Sequence, residues 1–249
     1  MGEKCTAIVL AAGQGKRMKT KIQKQFLSIQ GHPVLYYSLR CFKECEWMDE
    51  IILVTGQESL EYCRKEIVEK YQITKVAKII PGGKERYDSV YQGLLACADT
   101  DYVFVHDGAR PMITEDILDR AFAAVRECGA CVVGVPSKDT VKVADSEGYV
   151  SETPSRELVW NVQTPQVFSY NILREAHENI RKRKMHLITD DAMVVEQEGR
   201  CKVKLVLGSY ENIKITTPED LEIADIIIKN REFRKNEEKQ KKTCKSILT

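Results

Sequence analysis

The sequence lacks the features that mark several specialised protein classes. Among its 249 residues, 38 Lys and Arg face 37 Asp and Glu, so a formal net charge of +1 attracts neither nucleic acid nor an anionic membrane. No apolar run approaches the roughly 20 residues that a membrane-spanning helix needs. The first strand pattern begins within a few residues of the N-terminus, which leaves no room for a signal peptide. We therefore expect a cytoplasmic protein that binds neither nucleic acid nor membranes.

Metal clusters and nucleophile motifs are also missing. The four His residues are scattered, and the nine Cys residues are an odd number without a secretory context, as expected for reduced thiols. Cys128 and Cys131 have C-x-x-C spacing, but no second pair completes a zinc site. Two core cysteines and a redox pair are the alternatives there. No Ser lies in a nucleophile elbow and His106 has no obvious partner, so Ser-His-Asp chemistry is not supported.

The remaining pattern is that of an α/β protein. Hydrophobic residues make up 43% of the chain and charged residues 30%, as in ordinary globular proteins. Continuous apolar runs of strand length, such as residues 51–55 and 101–105, alternate with segments of helical periodicity. This alternation predicts a Rossmann-like, doubly wound, mostly parallel sheet with helices on both faces. Ligands of such sheets bind beyond the carboxyl ends of the strands.

One insertion interrupts the alternation. Residues 140–143 and 149–152 flank a turn-forming stretch at 145–148, which predicts a β-hairpin arm at about 137–160. A two-stranded ribbon is marginal alone, so we expect the arm to pack against a partner subunit.

The C-terminal part of the sequence predicts a short strand and a last helix before a tail. The strand is expected at residues 213–215, and the helix runs from Thr217 to about Lys229. We therefore divide the chain into a single domain at 1–230 and a basic, disordered tail at 231–249.

The opening strand ends in a loop that could bind a phosphate. Ala11, Ala12, Gly13 and Gly15 carry no bulky side chain, so backbone N–H groups there can approach an anion. The spacing differs from a P-loop, since no Ser or Thr follows the Lys, and no third glycine completes a dinucleotide fingerprint. A βα turn that only needs small residues is the alternative interpretation.

Charged side chains gather at strand ends and loops further along the chain. Arg17, Lys24, Arg156 and Lys214 are cations, whereas Asp107 follows a buried strand. A carboxylate in such a place can bind Mg²⁺ together with substrate phosphate oxygens, and a capping or surface acid is the alternative. Cations outnumber general bases, which favours phosphoryl or nucleotidyl transfer.

Short motifs in this order resemble those of the 2-C-methyl-D-erythritol 4-phosphate cytidylyltransferase family. The resemblance covers the chain from about Cys5 to Lys229. The motifs are LAAGQGKRM at 10–18, KQF at 24–26, GGKER at 82–86, VHDGARP at 105–111, QTPQ at 163–166, TDDA at 189–192 and NIKIT at 212–216. One departure is Gln23, where the family usually has proline. We expect a looser loop and a weaker CTP affinity from it, because a compatible proline typically contributes about 0.4–1 kcal/mol through the unfolded state.

The resemblance implies transfer of a cytidylyl group from CTP to 2-C-methyl-D-erythritol 4-phosphate, with release of pyrophosphate. The implied cofactor is Mg²⁺ or another divalent cation, held by Asp107. The implied catalytic residues are Arg17, Lys24, Arg156 and Lys214. CTP binding is implied for Ala11, Ala12, Gly13, Gly15, Gly83, Arg86 and Ser89, and binding of the second substrate for Asp107, Arg110, Thr140, Thr164 and Thr189.

The resemblance further implies a homodimer in which the arm contributes to the neighbouring site, so Thr140 and Arg156 are candidates for action in trans. Two rival functions stay open at this point. One is a cytidylyltransferase for another polyol phosphate such as ribitol 5-phosphate, and the other is a noncatalytic nucleotide sensor.

Overall fold

Strands and helices alternate along the part of the chain that the computed structural model describes, residues 2–13, 22–183, 188–199 and 201–247. The strands are β1 Cys5–Ala11, β2 Ser28–Ile29, β3 His32–Pro33, β4 Glu50–Thr55, β5 Val76–Pro81, β6 Tyr102–Asp107, β7 Ala130–Pro136, β8 Val143–Ala144, β9 Val150–Glu152, β10 Trp160–Ser169 and β11 Lys204–Leu207. The helices are α1 Val34–Glu44, α2 Leu60–Tyr62, α3 Arg86–Ala96, α4 Glu115–Cys128, α5 Tyr170–Arg183, α6 Asp191–Glu198 and α7 Pro218–Ile247.

Seven strands form the central sheet in the order β11-β7-β10-β6-β1-β4-β5. Strand β1 pairs in parallel with β4 and β6, and β10 runs antiparallel to β6 and β7. The predicted doubly wound, mostly parallel sheet is therefore confirmed. The sequence did not predict β10, because its centre at 163–166 is polar and contains a proline, and the ladder is irregular between Val162 and Gln166.

The apolar strands bury alternate side chains against opposite layers of helices. Val9 and Leu53 pack into one core cluster, whereas Ile8 and Ile52 pack into the other. Because the side-chain period of a strand is two, only a continuous apolar run can supply both layers. This packing fixes the sheet edge at which the loops after β1 and β6 emerge.

The helical segments differ in type and in how they begin. Residues Cys63–Glu69 form a π-helix. Asp190 is the N-cap of α6, since its side chain accepts a hydrogen bond from the backbone N–H of Met193 at 2.9 Å. Thr114 precedes α4 without a side-chain capping bond in the described structure.

Two C-terminal predictions were wrong. Residues 213–215 form no strand in the described structure: Ile215 N–H donates to the carbonyl of Ala109 at 2.8 Å and Ile213 N–H to that of Glu211 at 2.7 Å, and these bonds are not a ladder. The last helix does not end near Lys229, since α7 continues to Ile247.

The structure contains the predicted hairpin. Strands β8 and β9 pair antiparallel and form the arm, which leaves Tyr149 and Leu158 mostly exposed, at 70% and 82%.

The two cysteines with C-x-x-C spacing, Cys128 and Cys131, are free thiols. Burial raises the pKa of the Cys131 thiol to about 12, so this residue is an inert core side chain.

Candidate active site

A pocket of about 240 Å³ opens where β1 and β6 end and α3 begins. The register places Leu10 of β1 beside Asp107 of β6, so the loops that follow these strands meet at one sheet edge. This is the edge at which α/β sheets bind ligands. The pocket lining includes the predicted residues Ala11, Ala12, Gly13, Lys24, Gly83, Arg86, Ser89, Asp107 and Lys214.

The loop between β5 and α3 lies too close to its neighbours for larger side chains. A Cβ added to Gly82 would lie 2.7 Å from the Cβ of Ala12. One added to Gly83 would lie 2.2 Å from the Cβ of Asp88. Ser89 Oγ accepts a hydrogen bond from Gly83 N–H at 3.0 Å and so fixes this loop at the start of α3. The positive end of the α3 dipole therefore faces the pocket, as in many anion sites.

Gln25 joins the two segments that border the pocket and was given no role from the sequence. It is only 2% exposed, and its Nε2 donates to the carbonyl of Ala11 and to Oε1 of Gln23, both at 2.6 Å. Gln23 in turn donates from Nε2 to Glu58 Oε1 at 3.0 Å and to Ser59 Oγ at 3.3 Å. These bonds tether the segment that we expected to be looser without a proline.

Asp107 is the buried anion of the pocket. Its Oδ1 lies 3.2 Å from Arg86 Nε, and its Oδ2 lies 2.7 Å from Lys214 Nζ. Burial alone would raise the pKa of the Asp107 carboxyl, but the two cations outweigh it and hold this pKa well below its usual range. Asp107 is therefore ionised at neutral pH and orients two positively charged side chains.

Arg86 also contacts a second carboxylate that the sequence did not single out for a function. Its Nη1 lies 2.8 Å from Oδ2 of Asp191, which is 0% exposed at the start of α6. Burial opposes the charge of Asp191, but the Arg86 guanidinium lowers the pKa of this carboxyl overall. Gln166 Oε1 accepts hydrogen bonds from the N–H groups of Asp191 and Ala192 and so attaches α6 to β10. Only the tertiary contact reveals this function of Asp191.

Lys24 and Lys214 come from distant parts of the chain and meet at the pocket. Lys24 Nζ donates to the carbonyl of Ile215 at 2.8 Å, directly beside Lys214. The ionisable residues of the described lining are Lys24, Lys84, Arg86 and Lys214 against Glu85 and Asp107. The excess of cations suits a polyphosphate.

Several predicted residues lie away from this pocket. The guanidinium of Arg110 donates to the carbonyl of Asn212 at 2.8 Å, and Thr164 is buried on β10 at 4% exposure. Thr189 is exposed just before α6. Thr140 and Arg156 are exposed on the arm, where Arg156 Nη1 donates to the carbonyl of Lys138 at 3.5 Å. Gly15 and Arg17 lie outside the described residues.

A family model decides between the remaining possibilities. The model described as 2-C-methyl-D-erythritol 4-phosphate cytidylyltransferase matches residues 5–230. The chain belongs to this cytidylyltransferase family. A relative of that description from Lachnospira eligens is 52% identical over 225 residues, which cover 90% of this chain and 99% of the relative. One from Lachnoclostridium phytofermentans is 49% identical over 230 residues, 92% of this chain and 98% of the relative.

Solved structures agree with the cytidylyltransferase assignment. The 4-diphosphocytidyl-2C-methyl-D-erythritol synthase of Anaerococcus prevotii superposes with a TM-score of 0.81 at 34% identity, over 91% of this chain and 96% of that one. The 2-C-methyl-D-erythritol 4-phosphate cytidylyltransferase of Thermus thermophilus superposes with a TM-score of 0.72 at 29% identity, over 89% and 98%.

The predicted enzyme class and reaction are thereby confirmed. The cytidylyltransferase joins CTP and 2-C-methyl-D-erythritol 4-phosphate to give 4-diphosphocytidyl-2-C-methyl-D-erythritol and pyrophosphate in isoprenoid precursor biosynthesis. None of the helices in the described part of the chain is long and apolar enough to cross a membrane.

Proposed function

We propose that the pocket binds CTP and that its cations drive the cytidylyl transfer to the polyol phosphate. The observation that supports this most strongly is the meeting of Lys24 and Lys214 beside the small-residue loop after β1. Neither a βα turn nor the fold itself requires two lysines from distant parts of the chain at one sheet edge. The reaction would take place in the cytoplasm, where both charged substrates are soluble.

The nucleotide is held by backbone groups and by the start of α3. Ala11, Ala12 and Gly13 line the pocket and carry no bulky side chain, so their N–H groups can approach the triphosphate. Gly15 is assigned to the same site from the resemblance alone. Gly83, Arg86 and Ser89 complete the CTP site. The close approach of Gly82 to Ala12 supports this assignment, because it places the two loops next to each other at the pocket that both of them line.

The chemical step is an in-line displacement at the α-phosphorus of CTP. A phosphate oxygen of the second substrate forms a bond to this phosphorus, and the bond to the bridging oxygen breaks, so pyrophosphate leaves with the electron pair. Lys24 and Arg17 neutralise charge on the α-phosphate and the leaving group, whereas Lys214 and Arg156 orient the incoming phosphate. Such preorganised charge typically supplies a large share of catalysis in phosphoryl and nucleotidyl transfer.

Asp107 is proposed to hold Mg²⁺. A carboxylate has about four lone-pair positions, and the contacts with Arg86 and Lys214 leave acceptor capacity on both oxygens. One protein carboxylate combined with substrate phosphate oxygens is a ligand set that Mg²⁺ commonly takes. The residues present therefore fit the ion, which when bound neutralises charge on the triphosphate.

The polyol phosphate is proposed to bind between the turn after β6 and the start of α6. Asp107 and Arg110 border one side of this region, whereas Thr164 and Thr189 belong to β10 and the α6 N-terminus. Arg110 carries a planar fork of donors suited to phosphate or to hydroxyl groups. Thr140 would complete the site from the arm.

The arm is proposed to form a homodimer and to carry Arg156 and Thr140 into the partner's site. Val150 and Leu158 of the arm are apolar and 61% and 82% exposed, and a two-stranded ribbon is marginally stable without something to pack against. Among the described residues, Arg156 donates one long hydrogen bond, to the carbonyl of Lys138 at 3.5 Å. Burial of the arm against a second copy would cover the apolar residues and give Arg156 an anionic ligand.

Pyrophosphate release from CTP tests the substrate assignment directly. We expect efficient, Mg²⁺-dependent release with 2-C-methyl-D-erythritol 4-phosphate and much slower release with ribitol 5-phosphate. A preference for ribitol 5-phosphate would overturn the proposed substrate. Tight CTP binding without turnover on either compound would instead indicate a nucleotide sensor.

A further inference from the structure

His106 is buried directly beside the pocket, yet the roles proposed above do not use it. It precedes Asp107 on β6 and is 0% exposed. Its Nδ1 lies 3.1 Å from Thr164 Oγ1, and its Nε2 lies 3.2 Å from the carbonyl oxygen of Arg110. Phe42 packs against the ring edge to face, with centroids 5.4 Å apart. Both nitrogens of this core imidazole are therefore hydrogen-bonded.

The directions of these hydrogen bonds follow from the fixed donors and acceptors at the two ends. The backbone N–H of Asp107 donates to Thr164 Oγ1 at 3.1 Å, and the carbonyl of Arg110 can only accept. The imidazole therefore donates from Nε2 to Arg110. The single hydroxyl hydrogen of Thr164 is then directed to Nδ1 of His106, which accepts as long as the ring is neutral.

These partners allow one hydrogen on the imidazole, because Nε2 donates to the Arg110 carbonyl and Nδ1 accepts from the Thr164 hydroxyl. The Asp107 N–H, the Thr164 hydroxyl, the His106 ring and the Arg110 carbonyl therefore form one series of hydrogen bonds, in which every hydrogen has an acceptor.

The series holds both ends of the turn that carries two proposed substrate ligands. Arg110 N–H donates to the carbonyl of Asp107 at 2.9 Å and closes the turn. From this turn, Asp107 contacts Lys214 at 2.7 Å, and the Arg110 guanidinium donates to the carbonyl of Asn212. A displaced turn would move both side chains relative to the nucleotide.

We propose that His106 is a positioning residue for the transfer reaction, and that through Thr164 and the Arg110 carbonyl it sets the turn that presents Asp107 and Arg110 to the polyol phosphate. The inference depends on the proposed binding roles of those two residues. Because misplacement of a reacting group by about 1 Å can cost up to roughly 10²-fold in rate, loss of the series should affect turnover more than CTP binding.

Two His106 variants separate the two hydrogen bonds. His106→Asn retains an acceptor near the position of Nδ1, and His106→Gln retains a donor near that of Nε2. We expect each to lower kcat/KM for the polyol phosphate by roughly 10- to 100-fold, with KM for CTP changed by less than about threefold. Phe42→Leu is the matched control, since it removes packing against the ring but no hydrogen bond. It should lower the melting temperature and leave turnover per folded enzyme unchanged.

Thr164 variants test the same series when His106 variants fold poorly. Thr164→Val should reproduce the loss, and Thr164→Ser should recover most of it. In a double variant, His106→Gln and Thr164→Val should be no worse than Thr164→Val alone, because the two residues act through one series. Additive losses would show that His106 does not act through Thr164 and would overturn the proposal. Equal losses in Phe42→Leu and His106→Gln would do the same.

The unmodified protein offers a test that needs no variant. Nitrogen-15 NMR at pH 7 should find the His106 imidazole neutral with its hydrogen on Nε2. A hydrogen on Nδ1, or a doubly protonated ring, would contradict the series. Wild-type turnover with 2-C-methyl-D-erythritol 4-phosphate is measured separately, so a wrong substrate assignment and a wrong role for His106 give different results.

Discussion

The pocket and the arm, which we propose to be parts of one site, differ in how their charged groups are held. In the pocket, Asp107 contacts two cations at 2.7 and 3.2 Å, and Asp191 is 0% exposed, so the charged groups are oriented before any ligand binds. On the arm, Arg156 and Thr140 are exposed, and apolar Leu158 is 82% exposed. In the described part of the structure the pocket lining comes from one chain, whereas the arm is largely exposed.

This difference has a physical consequence for how each region responds to change. A defect in the pocket should act within one subunit, so its effect should not depend on protein concentration. If the arm forms the proposed dimer, the effect of a defect in the arm should depend on assembly, because an obligate interface links activity to protomer concentration.

The largest expected effect is that of Lys24→Ala. Removal of one charge-stabilising group typically costs roughly 10²- to 10³-fold in kcat, and CTP affinity should change far less. Steady-state assays combined with CTP titration measure both quantities. Lys78→Ala is the control, because Lys78 donates to the carbonyl of Ala96 away from the pocket and should leave kcat unchanged. Equal losses of CTP binding and turnover would assign Lys24 to ground-state binding.

Asp191→Asn should destabilise the pocket at neutral pH. It leaves Arg86 without its 2.8 Å carboxylate partner, and breaking a buried pair typically costs about 3 kcal/mol or more. Urea unfolding measures this free energy. The control is Asp190→Asn at the N-cap of α6, where Asn serves about as well as Asp.

The pH dependence of Asp191→Asn follows from the lowered pKa of the Asp191 carboxyl. The stability that the ionised carboxylate provides is present above its unfolded pKa of roughly 4 and is lost as the pH falls through the lower folded pKa. The difference in the free energy of unfolding between wild type and Asp191→Asn should therefore become smaller only below about pH 4. A difference that narrows already between pH 7 and 5 would contradict the lowered pKa.

His106 should cause a loss of wild-type stability on mild acidification. Its pKa is lowered from 6.5 to about 4 in the folded protein, so between these values the unfolded state binds more protons. Stability therefore falls as the pH falls through this window, by up to about 3 kcal/mol. His106→Gln should abolish that slope in urea unfolding curves, whereas the control His32→Gln should retain it. An unchanged slope in His106→Gln would show that another group titrates.

Much of this architecture could be predicted from the sequence, because continuous apolar runs of strand length are typical of a parallel sheet that helices cover on both faces. Small residues likewise predicted the loop after β1 that lines the pocket at Gly13, and the resemblance added Gly83 of the loop before α3. Strand β10 could not be predicted, since a polar centre and a proline hide an antiparallel strand between two neighbours.

Tertiary contacts explain the other residues that sequence reasoning missed. Asp191 acquires its function from Arg86, which lies 105 residues away in the chain. Gln25 similarly depends on the carbonyl of Ala11. Local periodicity carries no information about such partners.

The smallest expected effect on catalysis is that of Gln23→Pro. Gln23 has a φ of −62°, which proline can adopt, so the substitution should contribute about 0.4–1 kcal/mol through the unfolded state. It also removes the bonds to Glu58 and Ser59 and the acceptor for Gln25 Nε2, each typically worth about 0.5–1.5 kcal/mol, so the variant should be less stable than wild type by roughly 0.5–4 kcal/mol. KM for CTP should stay within about twofold. A clearly tighter CTP affinity in the variant would support the looser loop that the missing proline suggested.

Mixing two inactive variants tests the central difference between pocket and arm. Lys24→Ala damages only the pocket, and Arg156→Ala damages only the arm. If the arm acts in the partner's site, a refolded equal mixture contains heterodimers with one intact site, and about a quarter of wild-type activity should return. If each arm serves its own subunit, every site in the mixture carries a defect and activity stays at the level of the separate variants, which would contradict the account.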